Sequence, residues 1–477
     1  MRRDMKVLWN SFSSYASPEG MMLNSEASKL SSLDIEEIMA NLPDIKGKRC
    51  LELGAGIGRH TGLLAEICDH VTAVDFIEAF VEKNREVNGD RPNVDIVHSD
   101  VMRLDIPPES YDVIFTNWLL MYQADEELKL LSQRFLGWLR DGGYLFFRET
   151  CFHTSGDLLQ KHNTFDRSRY RHPKEYNIMF QSVRGSNMNP TVGFQLLYCR
   201  NVQTFATMKY NPTQYFWLWQ KRRLAADEEL GRMEYPELFL DGKLKSIMEK
   251  LLDNDNPIDD GCDNIRDIAE MLNLQPKQSV LDVGCGSGDD DFFLARNYDV
   301  NVLGIDLSSS LIGEAIDVVR EQTTPRVLFE IGDITEREFK AASYDVIYSR
   351  DVLLYIRDKP TMFRKFMTWL KPGGRLAILD HCSGARPQAT DSGLTRLTME
   401  TYEERLTSAG FAMVKTVDRT PHLMRLLRKG LARITEESKH TPQDENIQAL
   451  LEFFSAKITR VSRGSQKWGL FLAEKAK

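Results

Sequence analysis

No apolar run in this 477-residue chain approaches the roughly 18 residues that a membrane-crossing helix needs, so no span is expected. The opening stretch, MRRDMKVLWNSF, is charged and lacks an apolar core, so no secretory signal is expected either. Cysteine is sparse. Cys50, Cys68, Cys151, Cys199, Cys262, Cys285 and Cys382 are odd in number and never spaced as CxxC. That argues against a disulfide scaffold or zinc site and fits a reducing, cytoplasmic setting. No ligand cluster for a metal stands out, and none is expected. Positive charge is also short: 61 Lys and Arg face 70 Asp and Glu, leaving the chain at −9. An acidic chain is a poor general binder of nucleic acid or anionic membrane, and neither is expected as a partner.

What is present is ordinary in composition and unusual in organisation. The chain is 42% apolar and 27% charged, and long enough for two domains with a core each. It also repeats itself. RCLELGAGIGRHTGLLAE (49–66) is answered by VLDVGCGSGDDDFFLA (280–295), and VTAVDF (71–76) by VLGIDL (302–307). The acids Asp100 and Asp333 come next, in HSDV and IGDI. YDVIFTNWLLMY (111–122) is then answered by YDVIYSRDVLLY (344–355), and WLRDGGYLFFRE (138–149) by WLKPGGRLAILD (369–380). Apolar strands alternating with helical stretches predict a parallel α/β sheet in each half. The expected division is a domain over 1–223, a polar linker and entry segment over 224–262, and a second domain over 263–477.

GAGIG (54–58) and GCGSG (284–288) each lie between a predicted strand and helix, where glycine permits a tight turn and close approach of backbone to ligand. An acid ends the next strand in both halves, Asp75 at 23 residues from Glu52 and Asp306 at 24 from Asp282. Such acids suit ribose hydroxyls, which fits dinucleotide enzymes as well. With the third acid, YDVI and the paired-glycine turns, the pattern resembles class I methyltransferases. The resemblance implies two tandem Rossmann-like domains, each with a seven-stranded sheet and S-adenosylmethionine as cofactor. It implies cofactor contacts from Glu52, Gly54, Gly56, Gly58, Asp75, Phe76, Asp100, Val101 and Asn117. Asp282, Gly284, Gly286, Asp306, Asp333 and Arg350 are their counterparts in the second half.

NSEASKL, LELGAGIGRHTG, VDFIEAFVEKN, NWLLMYQADEE, GGYLFFRETCFHTSGD, YRHPKEY and the tail SRGSQKWGLFLAEK resemble phosphoethanolamine N-methyltransferases, whose plant-type members also carry two methyltransferase domains. The family makes phosphocholine by three successive methylations, for phosphatidylcholine synthesis. A small phosphorylated amine is therefore the expected partner, and a monomer the expected state. In an acidic chain, KHNTFDRSRYRHPK (161–174) holds five Lys or Arg and one acid. Arginine forks and tyrosine hydroxyls suit phosphate oxygens, and by resemblance Tyr170, Arg171 and Tyr176 form the grip. Trp118 and Tyr122 come after the fourth strand, where an aromatic face can stabilise a methylated ammonium and a phenol can help deprotonate the amine. Core packing is the plainer role for the pair. Tyr15, Met21 and Met22 lie in a segment that closes over the cofactor in the family, with Tyr15 a catalytic candidate and Met22 a cofactor contact. His153 reads as a loop histidine.

The second half departs from the family. Asp289 and Asp290 stand where related second domains carry glycine, and Tyr355 stands in place of a histidine. Asp380, His381 and Cys382 replace a DYC turn, and the loop after them offers only Arg386 and Arg396. Asp351 and Lys457 are retained. The expectation is a weak or inactive second domain and a first domain performing the first methylation. The alternatives are a bifunctional enzyme, a cofactor-binding scaffold, or a methyltransferase for a quinone or sterol.

Overall fold

RCLEL, HVTAVD and YDVIFTN are short, rich in apolar and β-branched residues, and bounded by turns, and all three fold as strands. The computed structural model describes residues 2–12, 27–152, 168–185, 191–209, 211, 213–223, 262–320, 326–385, 388–389, 395–440 and 443–477. Two compact units result, with main segments Met1–Arg232 and Met233–Ala315 plus Asp333–Lys477. No helix among the described residues is long and apolar enough to cross a membrane.

The first unit contains β1 (Arg49–Leu53), β2 (His70–Asp75), β3 (Val94–His98), β4 (Tyr111–Asn117), β5 (Leu139–Thr150), β6 (Val192–Asn201) and β7 (Gln214–Arg223). They lie side by side as β6-β7-β5-β4-β1-β2-β3. β1 to β5 pair in parallel, and β7 runs antiparallel between β5 and β6. The chain winds outward from β1 to β3, then returns to lay β4 on the other side of β1. That reversal opens a crevice at the carboxyl ends of β1 and β4, where ligands bind in such sheets. Below it, the rings of Phe115, Phe146 and Phe216 stack with centroids 5.4 and 5.9 Å apart. These buried rings anchor the three neighbouring strands that carry them.

The second unit repeats the plan with β8 (Ser279–Val283), β9 (Asn301–Asp306), β10 (Val327–Gly332), β11 (Tyr344–Arg350), β12 (Leu370–Ser383), the two-residue pair β13 (Gln388–Ala389) and β14 (Thr395–Arg396), β15 (Ala412–Asp418) and β16 (Gln466–Glu474). Its large sheet runs β15-β16-β12-β11-β8-β9-β10, strand for strand the order of the first. Its core is built around Phe363, Phe366, Trp369 and Tyr402, the last stacked on Phe471 at 4.5 Å.

Candidate active site

In the first unit the crevice is a cleft of two adjoining lobes, about 520 and 690 Å³, which share Trp9, Gly54, Asp75, Phe76, Leu119 and Tyr122. The loop after β1 forms its floor. Gly54, Gly56 and Gly58 all have positive φ. At Gly58 a Cβ would meet Asn84 Oδ1 at 2.2 Å, so only glycine fits without displacing that side chain. Asp75 braces the loop: Oδ2 accepts from the Gly56 N–H and Oδ1 from the Ile77 N–H, each at 2.9 Å. Burial pushes its pKa up while these N–H groups pull it down. Glu52, at the end of β1, accepts from Thr61 Oγ1 at 2.6 Å. Burial raises Glu52 to about 8, against the opposing pull of Thr61, so it is largely protonated at neutral pH. Asp100 caps a short turn by accepting from the Met102 N–H at 2.9 Å, and with Val101 it walls the smaller lobe.

Directly after β4 the chain takes an uncommon path. Trp118 has φ +55°, a left-handed conformation that bulky residues rarely adopt. Its indole donates to Gln214 Oε1 at 3.0 Å, and the Arg148 guanidinium lies 4.0 Å from the ring. Asn117 Oδ1 accepts from Arg148 at 3.4 Å. The next turn, Leu120–Tyr122, is clamped by a single carboxylate. Glu149, wholly buried on β5, accepts from the N–H groups of Leu119, Leu120 and Met121 at 3.1, 2.7 and 3.1 Å. Burial lifts its pKa to about 7, held down by those three donors and by Arg171. The clamp fixes Tyr122 against both lobes, with Trp9 meeting its ring edge-on at 5.7 Å.

Arg171 approaches the same turn from the other side. Its Nη1 donates to Leu120 O, its Nη2 to Gln123 O, and Asp125 takes Nε and Nη2 at 3.1 and 2.8 Å. Most of its donors are thus engaged with the chain itself. Tyr176 is fully buried with the Arg171 guanidinium 5.6 Å from its ring, and its hydroxyl interacts with that same guanidinium. Tyr170 is half-buried in the segment leading to both. Tyr15, Met21, Met22, His153 and most of the basic loop lie outside the described residues, as does Arg386.

In the second unit Asp306 braces its glycine loop as Asp75 does, accepting from Gly286 N–H at 3.0 Å and Ser308 N–H at 2.8 Å. Asp333 caps its turn on Thr335 N–H at 2.8 Å. The residues after the loop differ. Asp290 pairs with Arg350 at 3.0 Å and accepts from the Tyr348 hydroxyl at 2.9 Å. Asp291 is wholly buried, and burial with the neighbouring Asp282 pushes its carboxyl well up. Asp282 rises to about 7 through burial and Asp290. Asp351 has φ +57°, matching Trp118, and accepts from the Trp468 indole at 2.7 Å. His381 sits 3.2 Å from Lys457 and 3.8 Å from Asp351. Burial first, then Lys457, holds its ring neutral.

Sequence reasoning did not find Trp9, Arg59, His60 or Glu149. Trp9 reaches the cleft from a helix over Arg2–Phe12, with nothing local to mark it. Arg59 and His60 had a signal: the internal repeat sets them opposite Asp289 and Asp290.

Family models described as methyltransferase domain match residues 51–147 and 274–452. Phosphoethanolamine N-methyltransferase 3 of Arabidopsis thaliana is 39% identical over 99% of this chain and 98% of that protein. Phosphoethanolamine N-methyltransferase of Triticum aestivum is 38% identical over 99% and 95%. In fold, the chain is similar to Haemonchus contortus phosphoethanolamine N-methyltransferase 1, solved in complex with phosphoethanolamine and S-adenosylhomocysteine. That match has a TM-score of 0.70 at 23% identity and covers 99% of this chain and 97% of that one.

Proposed function

The chain belongs to the phosphoethanolamine N-methyltransferase family, and on that premise we propose that its first domain methylates phosphoethanolamine while its second is catalytically impaired. S-Adenosylmethionine, when bound, supplies an electrophilic methyl group. The first cleft fits it. Asp75 borders both lobes as a candidate for the ribose hydroxyls, Phe76 and Val101 offer apolar walls for adenine, and Arg59 Nε and His60 Nε2 are buried polar atoms without partners among the described residues.

The amine must present a lone pair, so a proton has to leave it. Tyr122 borders both lobes and is the group assigned to hold the amine and ease that loss, with Trp118 beside it and Tyr15 as a further candidate. The phosphate falls to Tyr170, Arg171 and Tyr176. The pairing of the buried Tyr176 hydroxyl with the Arg171 guanidinium is the support for this, since the two suit phosphate oxygens together. Arg171 contributes mainly by fixing the turn that carries Tyr122.

One observation carries the division of labour. Asp290 occupies Arg350 in the second domain, at the strand end where the first domain presents neutral Asn117. The enzyme is taken to act as a cytoplasmic monomer. The test is an endpoint assay with S-adenosylmethionine and, separately, phosphoethanolamine and its mono- and dimethyl forms. The expected result is turnover of phosphoethanolamine to the monomethyl product alone. Conversion of all three acceptors to phosphocholine establishes the bifunctional reading, which the intact Asp306 brace favours.

A further inference from the structure

Arg148, near the end of β5, is wholly buried, and aromatic rings make up much of its surroundings. Its guanidinium lies 4.0 Å from the centroid of the Trp118 ring and 4.8 Å from that of Phe205. Its carbonyl accepts from the Trp118 N–H at 2.8 Å, and its Nη1 reaches Asn117 Oδ1 at 3.4 Å and Asp34 at 3.2 Å. Nε and Nη2 have no hydrogen-bond partner among the described residues. Backbone, side chain and charge of one residue are thus all directed at Trp118 and its neighbour.

The other ionisable groups around it are committed or neutral. Asp34, on the helix Ala27–Ala40, is shared with Arg59 at 3.4 Å. Glu37 of the same helix accepts from the Gln203 and Thr204 N–H groups. Burial first, then the two arginines, keeps His60 neutral. Burial lifts Glu52 to about 8 and Glu149, next on β5, to about 7. Asp75, on β2, holds the glycine loop. Among the described residues, Arg148 is the cation set over the Trp118 ring. That ring borders the larger lobe beside Asn117, Leu119 and Tyr122. A ring already serving one cation is a poor seat for a second, because the two charges repel and the π density is drawn towards the first. A nearby like charge favours the neutral form of an amine.

We propose that Arg148 is a positioning residue acting through Trp118: it fixes the indole in the cleft and, by its charge, tips the bound substrate amine towards the neutral, nucleophilic form. The N–H bond breaks with its electron pair left on nitrogen, and the proton passes to water. The proposal rests on the first-domain reading above and adds the group that sets the protonation of the amine. The repeat supports it. Asn117 is in register with Arg148 on the neighbouring strand, as Arg350 is with Leu379. In the second domain Leu379 therefore stands for Arg148 and Asp351 for Trp118, so cation and ring are lost together.

The test is kcat of the full-length chain for phosphoethanolamine against pH, where the acid limb reports groups in the enzyme–substrate complex. Arg148→Met removes the charge and should move that limb up by about 0.5–1 pH unit. It should also strengthen inhibition by phosphocholine, whose ammonium cannot shed its charge, by about three- to tenfold. Arg148→Lys keeps the charge and should hold the limb within about 0.3 unit. Asp34→Asn removes the opposing charge and should move the limb down, which carries the test if the methionine variant does not fold. A reduced kcat with the limb in place and phosphocholine inhibition unchanged or weaker overturns the proposal by making Arg148 purely structural. Equal upward shifts in the methionine and lysine variants overturn it by removing the charge from the explanation. Parent turnover that survives Asp75→Ala sinks the first-domain reading itself.

Discussion

Asp75 and Asp306 hold their glycine loops with the same pair of backbone bonds, yet the residues just beyond the two loops are opposite in charge. The first domain continues Arg59-His60-Thr61 and the second Asp289-Asp290-Asp291. In the first, Thr61 donates to Glu52, satisfying a buried acid with a neutral hydroxyl. In the second, Asp291 puts another carboxyl beside Asp282, and both are pushed towards the protonated form. The scaffold of a ligand site and its charge are thus separable. Backbone geometry survives three changes that reverse the local field, because the brace and the sheet order do not depend on those side chains.

The largest test of the asymmetry is the matched pair of braces. Asp75→Ala should cut phosphoethanolamine turnover by about 100-fold or more, losing two charge-assisted bonds to the loop. Asp306→Ala should leave it within about twofold, as expected for a site removed from the chemistry. Equal losses break the comparison. Next is the clamp. Glu149→Ala leaves three N–H groups unpaired and should destabilise the first domain by about 3 kcal/mol in urea unfolding. Among the described residues its counterpart Asp380 accepts from the His381 N–H and the Tyr402 hydroxyl, so Asp380→Ala should cost less.

A smaller effect sharpens the picture from the other side. Asp290→Asn removes the charge paired with Arg350 and should improve binding of S-adenosylhomocysteine to the second domain by about tenfold. The readout is the number of sites per chain in calorimetry. An unchanged site count would count against Asp290 as an obstacle to binding there. The smallest is a pH slope. Burial moves Glu52 from 4.5 to about 8 and Asp282 from 3.8 to about 7. Raised acid pKa values favour the protonated fold. The Glu52 contribution is therefore complete below about pH 4.5 and is lost as pH rises through about 8, that of Asp282 as it rises through about 7. Glu52→Gln should flatten the fall in stability between pH 5 and 8 that urea midpoints report. A slope unaltered in the variant would count against the burial argument.

The repeated strand, loop and acid pattern was legible because each part is local. A strand-end acid such as Asp75 sits a fixed distance from its glycine loop, and short apolar runs such as YDVIFTN announce buried strands. Trp9 and Glu149 were not legible. Their roles come from packing against residues more than a hundred and about 30 positions away, respectively, and nothing in their own neighbourhoods marks them. Arg171 stood out as a candidate from its basic loop, but its engagement with Asp125 and the Leu120 and Gln123 carbonyls was not legible. Arg59 stands directly after Gly58, yet its charge gains meaning only beside Asp34 and Arg148, which the fold brings to it from elsewhere in the chain.

Trp118 and Asp351, each the first residue beyond the strand that ends the crevice, are both bent into a left-handed backbone. Such a conformation costs on the order of 1 kcal/mol or more for these residue types. In the first copy the bend aims Trp118 across Arg148 and cannot be relaxed without moving the cleft. In the second it holds the Trp468 indole and lies beside His381. For protein engineering, Asp351→Asn is then an attractive handle. Asparagine tolerates that backbone well and can still accept from the indole. The chain could be hardened against heat through its second domain, with the cleft of the first left as it is.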